Sequence, residues 1–213
     1  HTAAVIAWHC YYFWDASMAS EVDIINSALN MIGASNIISR SEDSKSARVT
    51  NQRFDYVRDA VLRSHPWNCA VTRRSLAPDS DTPAFDWSYQ FTLPTDPYCL
   101  RVLRLDYLDV EFRVEGRKIV TDESAINLIY VARVTDTNEW DQLLIEAIAA
   151  RLAADVSFTL SQSTSLTQNM FALYESKLKE ARFVDATEGT PGAVLGVAAS
   201  GALQADYFTD ARL

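Results

Sequence analysis

Apolar positions along this chain change period twice. From Ser20, the residues Val22, Ile25, Leu29 and Ile32 fall three or four apart, the spacing of one helix face. Ser20 suits an N-cap, Asp23 stands three residues on as a short capping-box partner, and Gly33 is a natural stop. The pattern predicts a helix over residues 20–33. A second helix is predicted over residues 44–64, with Ala47, Thr50, Phe54, Val57 and Val61 as its buried stripe. From residue 67 to 134 the period falls to two. "WNCAVTRRSLA" alternates, "FDWSYQFTL" is aromatic-rich and ends at Pro94, and "CLRVLRLD" alternates imperfectly. "VEFRVEGRKIV" reads as a hairpin turning at Gly116, and "INLIYVARV" closes the set. Pro78, Pro83, Pro94 and Pro97 punctuate the joins. Helical spacing returns at about residue 138, in "NEWDQLLIEAIAARLAADVSF". That helix is apolar around most of its circumference, and its alanines allow close helix approach. A last helix over residues 163–186 carries Phe171, Tyr174, Leu178 and Ala181 as its inner stripe.

Strands joined without intervening helices imply an antiparallel sheet. The predicted fold is therefore α+β and mainly helical, an antiparallel bundle of about four helices with an inserted antiparallel β-sheet region and an extended C-terminal arm. Residues 18–66 and 138–188 form the bundle as one discontinuous domain, and residues 67–137 form the inserted sheet domain. Residues 189–213 contain four glycines and no strong period, and they read as an arm anchored on another subunit through Leu195, Leu203, Tyr207, Phe208 and Leu213. The first 17 residues, "HTAAVIAWHCYYFWDAS", lack a basic n-region and are expected to be a reading-frame extension ahead of a start at Met18. The alternative is an aromatic arm that docks on a partner.

Composition narrows the function. The chain has 213 residues and a net charge of −9, so it has no general electrostatic pull on nucleic acid. An acidic surface suits a channel wall to which DNA should not adhere. Three cysteines without a CxxC pair argue against a disulfide framework or a zinc knuckle. No apolar run is long enough to span a bilayer, so no membrane role is expected. Phosphate-loop, nucleophile-elbow and zinc-protease motifs are absent from the sequence, and no cofactor or metal is expected.

The stretch "RSHPWNCAVTRR" offers the one His–Cys pair outside the first 17 residues. His65 and Cys69 could be nucleophile and base, or two metal ligands. The physical reading is instead a structural joint of His65, Pro66, Trp67 and Cys69. Pro66 ends the helix, and Trp67 and Cys69 share the apolar side of the first strand. Arg48, Arg53, Arg58 and Arg63 recur every five residues, in a segment with eight basic and four acidic residues between Arg40 and Arg74. They form either a solvated face with pairs such as Asp55–Arg58 and Asp59–Arg63, or a surface meeting an acidic neighbouring subunit. Acid pairs among Asp106, Asp109, Glu111, Glu139, Asp141 and Glu146 leave an alternative function open, a cell-wall hydrolase cleaving glycosides with paired carboxylates.

Six segments occur in a telling order: "ALNMIGASNI", "VLRSHPWNCAVTRRSLA", "FTLPTDPYCLRVLRL", "VEGRKIVTDESAINLIYVARV", "WDQLLIEAIAARLAADVSFTLSQS" and "YESKLKEARFVDATEGTP". Together, over Met18 to Pro191, they resemble the tail tubular protein A family of short-tailed bacteriophages, the head-to-tail adaptors. The most specific pieces are "HPWN" leading into a strand, "LP.D…LRVL" and "EAR..DA.EGTP". The resemblance implies a non-enzymatic structural protein of the virion, made in the host cytoplasm. It implies a dodecameric homo-oligomeric ring that joins the portal protein to the tail nozzle, a tubular protein B-like partner, with tail fibres nearby. DNA would pass through the lumen without sequence-specific binding. The C-terminal arm would reach the portal, and the sheet would face the tail or neighbouring adaptors. The chain departs from the family at Cys69, where an aromatic such as Phe is favoured, and residues 1–17 have no counterpart.

Overall fold

The computed structural model describes residues 19–106 and 110–188. The N-terminal extension and the arm with Leu195, Leu203, Tyr207, Phe208 and Leu213 lie outside the described residues. The fold is α+β and mainly helical, with antiparallel sheets.

Each helix starts where a short polar side chain can satisfy free backbone N–H groups. Helix α1 runs Glu21–Met31 behind Ser20, which forms a complete capping box with Asp23. Helix α2, Lys45–Ser64, is capped by Ser44, and all five residues of its predicted stripe are buried. Helix α3, Gln142–Ser161, is capped by Asp141, and helix α4, Thr164–Thr187, by Ser163. The predicted start of α3 at residue 138 falls instead in a separate 3-10 turn, Thr137–Glu139. There Asp136 ties back on Asn138 before Asp141 opens the helix. Helix α3 touches α1, α2 and α4. Ala147, Ala149, Ala150 and Ala153 are all completely buried along it, which lets three helices approach one axis. Helix α4 departs from its predicted stripe. Only Ala181 is buried there, while Tyr174 and Leu178 are half-buried and Phe171 is exposed.

The inserted region is two three-stranded antiparallel sheets rather than one. The strands are β1 Val71–Leu76, β2 Tyr89–Thr92, β3 Cys99–Leu105, β4 Phe112–Glu115, β5 Lys118–Thr121 and β6 Ile126–Ala132. Sheet A has the order β1-β6-β3 and sheet B the order β2-β5-β4. The predicted hairpin is β4–β5. It pairs Glu115 with Lys118 across a two-residue turn in which Gly116 adopts φ +60°. A glycine in the first turn position is the type II′ signature.

Sheet A lies between the helices and sheet B. Phe91 of β2 and Ile119 of β5 pack against Cys99, Leu105, Leu128 and Tyr130 of sheet A. Leu100 and Val131 of sheet A join the helical core with Phe54, Val61, Leu62 and Trp67. Strand β3 serves both cores because its pairing with β6 shifts twice, between Cys99 and Arg101 and between Val102 and Arg104. Each bulge adds a residue and resets which face a side chain meets, which is why "CLRVLRLD" alternates imperfectly.

The packing of α3 gives a direct test. Replacing Ala149 by Leu forces a branched side chain into a completely buried alanine site and should cost on the order of 1–3 kcal/mol by overpacking. Urea denaturation of the variant beside the parent chain checks this.

Candidate functional site

The joint forms because α2 has to stop. Pro66 carries no N–H, and His65 is extended at φ −144°, ψ 149°. The chain does not enter a strand at once. Asn68–Ala70 makes a 3-10 turn, with Ala70 N–H and Val71 N–H both donating to the Trp67 carbonyl. The expected shared strand face of Trp67 and Cys69 is therefore absent, since the strand starts only at Val71. Trp67 is buried in the helical core and donates its indole N–H to the Val61 carbonyl, 3.0 Å away. It thereby caps the end of α2 with a side chain. The His65 ring meets the Trp67 ring edge-on, with centroids 4.8 Å apart.

Asp185, in the last turn of α4, holds this turn in place. One carboxylate oxygen accepts from His65 Nε2 at 3.1 Å and the other from the Asn68 backbone N–H at 3.0 Å. Asn68 Nδ2 donates to the Asp185 carbonyl at 2.8 Å, and Arg182 donates to the Ser64 carbonyl. A carboxylate at a helix C-terminus works against the helix dipole, so Asp185 owes its place to these donors. Sequence reading missed it as a partner of His65. The available signal was an acid where a helix end favours a base, inside the "EAR..DA.EGTP" piece.

Cys69 is half-buried beside this cluster. Burial first, and then the nearby Asp185 carboxylate, push its thiol up to about 11, although the Asp141 backbone N–H works the other way. At neutral pH it is a thiol, whereas a nucleophile or metal ligand must be a thiolate. His65 turns to Asp185, and among the described residues no hydrogen bond joins it to Cys69.

The four arginines of α2 are used within the chain. Arg48 pairs with Asp43 at the surface, and Arg53 reaches Asp155 of α3 at 2.6 Å. Arg58 is largely buried and pairs with Asp55 and Asp59, as expected for Asp55. The expected Asp59–Arg63 pair does not form. Asp59 is taken by Arg58 and, at 2.6 Å, by Arg133 just beyond β6, while Arg63 donates to the Leu100 carbonyl of β3. Arg133 also stacks on Tyr98, and Arg117 of the hairpin turn stacks on Tyr98 as well, at 4.4 and 4.0 Å. Arg117 donates to the Pro94 and Cys99 carbonyls. A continuous path thus runs from the sheet B hairpin through Arg117, Tyr98, Arg133 and Asp59 to α2. None of Tyr98, Arg117 and Arg133 carried a sequence signal, because each reads as an ordinary strand-flanking residue.

The candidate acids are scattered. Asp141 caps α3, Glu146 pairs with Lys177, Glu139 is exposed in its 3-10 turn, and Asp109 lies outside the described residues. Asp23 is held below the ordinary carboxylate range by its hydrogen bonds to Ser20. At Asp79 burial acts upward, but Lys118 and Thr92 outweigh it and the carboxyl is lowered. A general acid needs the opposite shift. Among the described residues no cluster of His, Cys, Asp and Glu could hold a metal ion.

Two measurements test the joint. Asp185→Ala leaves the Asn68 N–H and His65 without their acceptor and should cost about 1–3 kcal/mol, read by chemical denaturation. In a Cys10→Ser background, Cys69 should resist alkylation at pH 7.5 and react faster as the pH approaches about 11. Its folded value lies above the unfolded one, so its contribution to stability is intact below pH 9 and is lost as the pH rises toward 11. Cys69→Ala should flatten that alkaline loss.

No family model matches the chain, and no curated protein matches it.

Proposed function

We propose that the protein is a structural head-to-tail connector of a short-tailed phage. It forms a ring between portal and tail nozzle and lines the channel through which DNA leaves. The observation that carries this reading is where the three most specific motif pieces meet. His65 and Asn68 of "HPWN" bond directly to Asp185 of "EAR..DA.EGTP", 120 and 117 residues away. Arg63, just ahead of "HPWN", bonds to Leu100 of "LP.D…LRVL". The residues that carry the resemblance are the ones that fasten α2 and the turn after it to α4 and to sheet A. A connector needs such a joint, because its two ends meet different partners.

The surface supports the same reading. Ile38, Tyr56, Phe158, Phe171 and Phe183 are exposed large apolar side chains on the helical part. Apolar surface of this kind is stable in water only at a cost, and covering it is what assembly supplies. The net charge of −9 keeps a lumen from adsorbing DNA.

The test is reconstitution. Residues 18–213 mixed with the portal ring of the same phage should give a stacked ring by electron microscopy. Persistent failure to bind the portal, with the chain remaining monomeric beside it, sinks the proposal. A free monomer before the portal is added does not count against it.

A further inference from the structure

Sheet B carries a surface that the joint does not use. Strand β4 forms one edge of the sheet and is paired only with β5 among the described strands. In an antiparallel ladder alternate residues turn their N–H and C=O groups away from the partner, so this edge presents free backbone groups. The outward face of β4 and the residue before it carries Glu111, Arg113 and Glu115 in alternation. All three line an open hollow of about 660 Å³ on the outer face of the sheet. The 82–87 loop walls the other side with Pro83, Phe85, Asp86 and Trp87. Ser88 anchors that loop by donating its N–H and hydroxyl to Asp122, at 2.9 and 2.8 Å. Trp87 also borders a second hollow of about 390 Å³ beside Val110, Glu111, Phe112 and Arg113.

The charges here are uncommitted. Among the described residues the side chains of Asp86, Glu111, Arg113 and Glu115 have no hydrogen-bond or ion-pair partner. With Asp122, the hollow has four carboxylates against one guanidinium. Phe85 is 77% exposed and Val114, on the opposite face of β4, is 46% exposed. Charges on an open edge repel uncharged strands and admit only the complementary pattern.

We infer that β4 and this hollow receive an extended segment of a partner protein with the alternation basic–x–acidic–x–basic, added as a fourth strand to sheet B. Its two basic side chains lie opposite Glu111 and Glu115, with their methylene stems against Phe85 and Trp87. Its central acid lies opposite Arg113. The pattern is the same read in either direction, so a parallel or an antiparallel addition satisfies it. Basic side chains suit the occupant because the hollow carries excess negative charge. A second copy of β4 would bring two more glutamates. This inference is independent of the connector proposal and holds whether or not a ring forms.

The experiment uses the full chain and a fluorescein-labelled peptide, TKVEVKT, followed by anisotropy in low salt. TKVEVKT should bind at least about tenfold tighter than its charge-swapped counterpart TEVKVET, since three cross-strand pairs change sign. In the triple variant Glu111→Lys, Arg113→Glu, Glu115→Lys, the preference should invert, which a misfolded variant could not do. N-methylation of the peptide amides on one alternating set should abolish binding, and on the other set should leave it intact. Equal binding of the two peptides, or no effect from either N-methylated set, overturns the inference. So does concentration-dependent self-association of the chain that Val114→Pro abolishes by removing an edge N–H, which would make a second copy the occupant. Preferential binding of cell-wall glycan fragments that displaces TKVEVKT would also overturn it.

Discussion

The arrangement depends on one carboxylate placed where helix electrostatics disfavour it. Asp185 sits in the last turn of α4 and is retained by the Asn68 N–H and the His65 ring, both from the segment that leaves α2. Without those donors α4 would end with an opposed charge, and the turn after Pro66 would lose the acceptor that fixes it. Each side of the contact is unfavourable alone. Because the partners are far apart in sequence, the bond closes a loop containing both sheets and α3. The direction in which the sheets leave the helices is set at this point.

Around that contact the two cores are interlocked rather than merely adjacent. Trp67 closes the helical core while opening the path into sheet A. Strand β3 sends Leu100 to the helices and Cys99 and Leu105 to the inter-sheet core. The stacked series Arg117, Tyr98, Arg133 crosses the same boundary with cations and an aromatic face. Apolar burial supplies the bulk of the energy here, and the polar bonds supply the orientation.

Much of this was legible in the chain. The four helices, the Ser20 capping box and the stripe of α2 follow from spacing and short polar residues alone. The Gly116 hairpin does too. The failures share a cause, which is that long-range partners overrode local pattern. The strand expected from Trp67 became a turn because Asn68 bonds to a residue 117 positions on. The Asp59–Arg63 pair gave way because Arg133, distant in sequence, competes for Asp59. The inner stripe of α4 read as a core face, yet α4 lies at the edge of the bundle with only α3 beneath much of its length. The division of the strands between two sheets is not legible, because alternation reports a strand's faces and not which strand lies beside it. At the joint, the His–Cys proximity was visible, but the acid that gives His65 its role was not.

The two bulges in β3 have a mechanical consequence. A strand whose side chains are committed to both layers cannot slide along either one without extracting residues from the other. Shear between sheet B and the helices is therefore resisted by covalent backbone as well as by packing. A load applied at the β4–β5 tip would pass from Arg117 to the Cys99 carbonyl of β3, on to the carbonyl of Leu100, and enter α2 through Arg63. The inserted region is built to behave as a stiff lever on the helices, not as a flap hinged beside them.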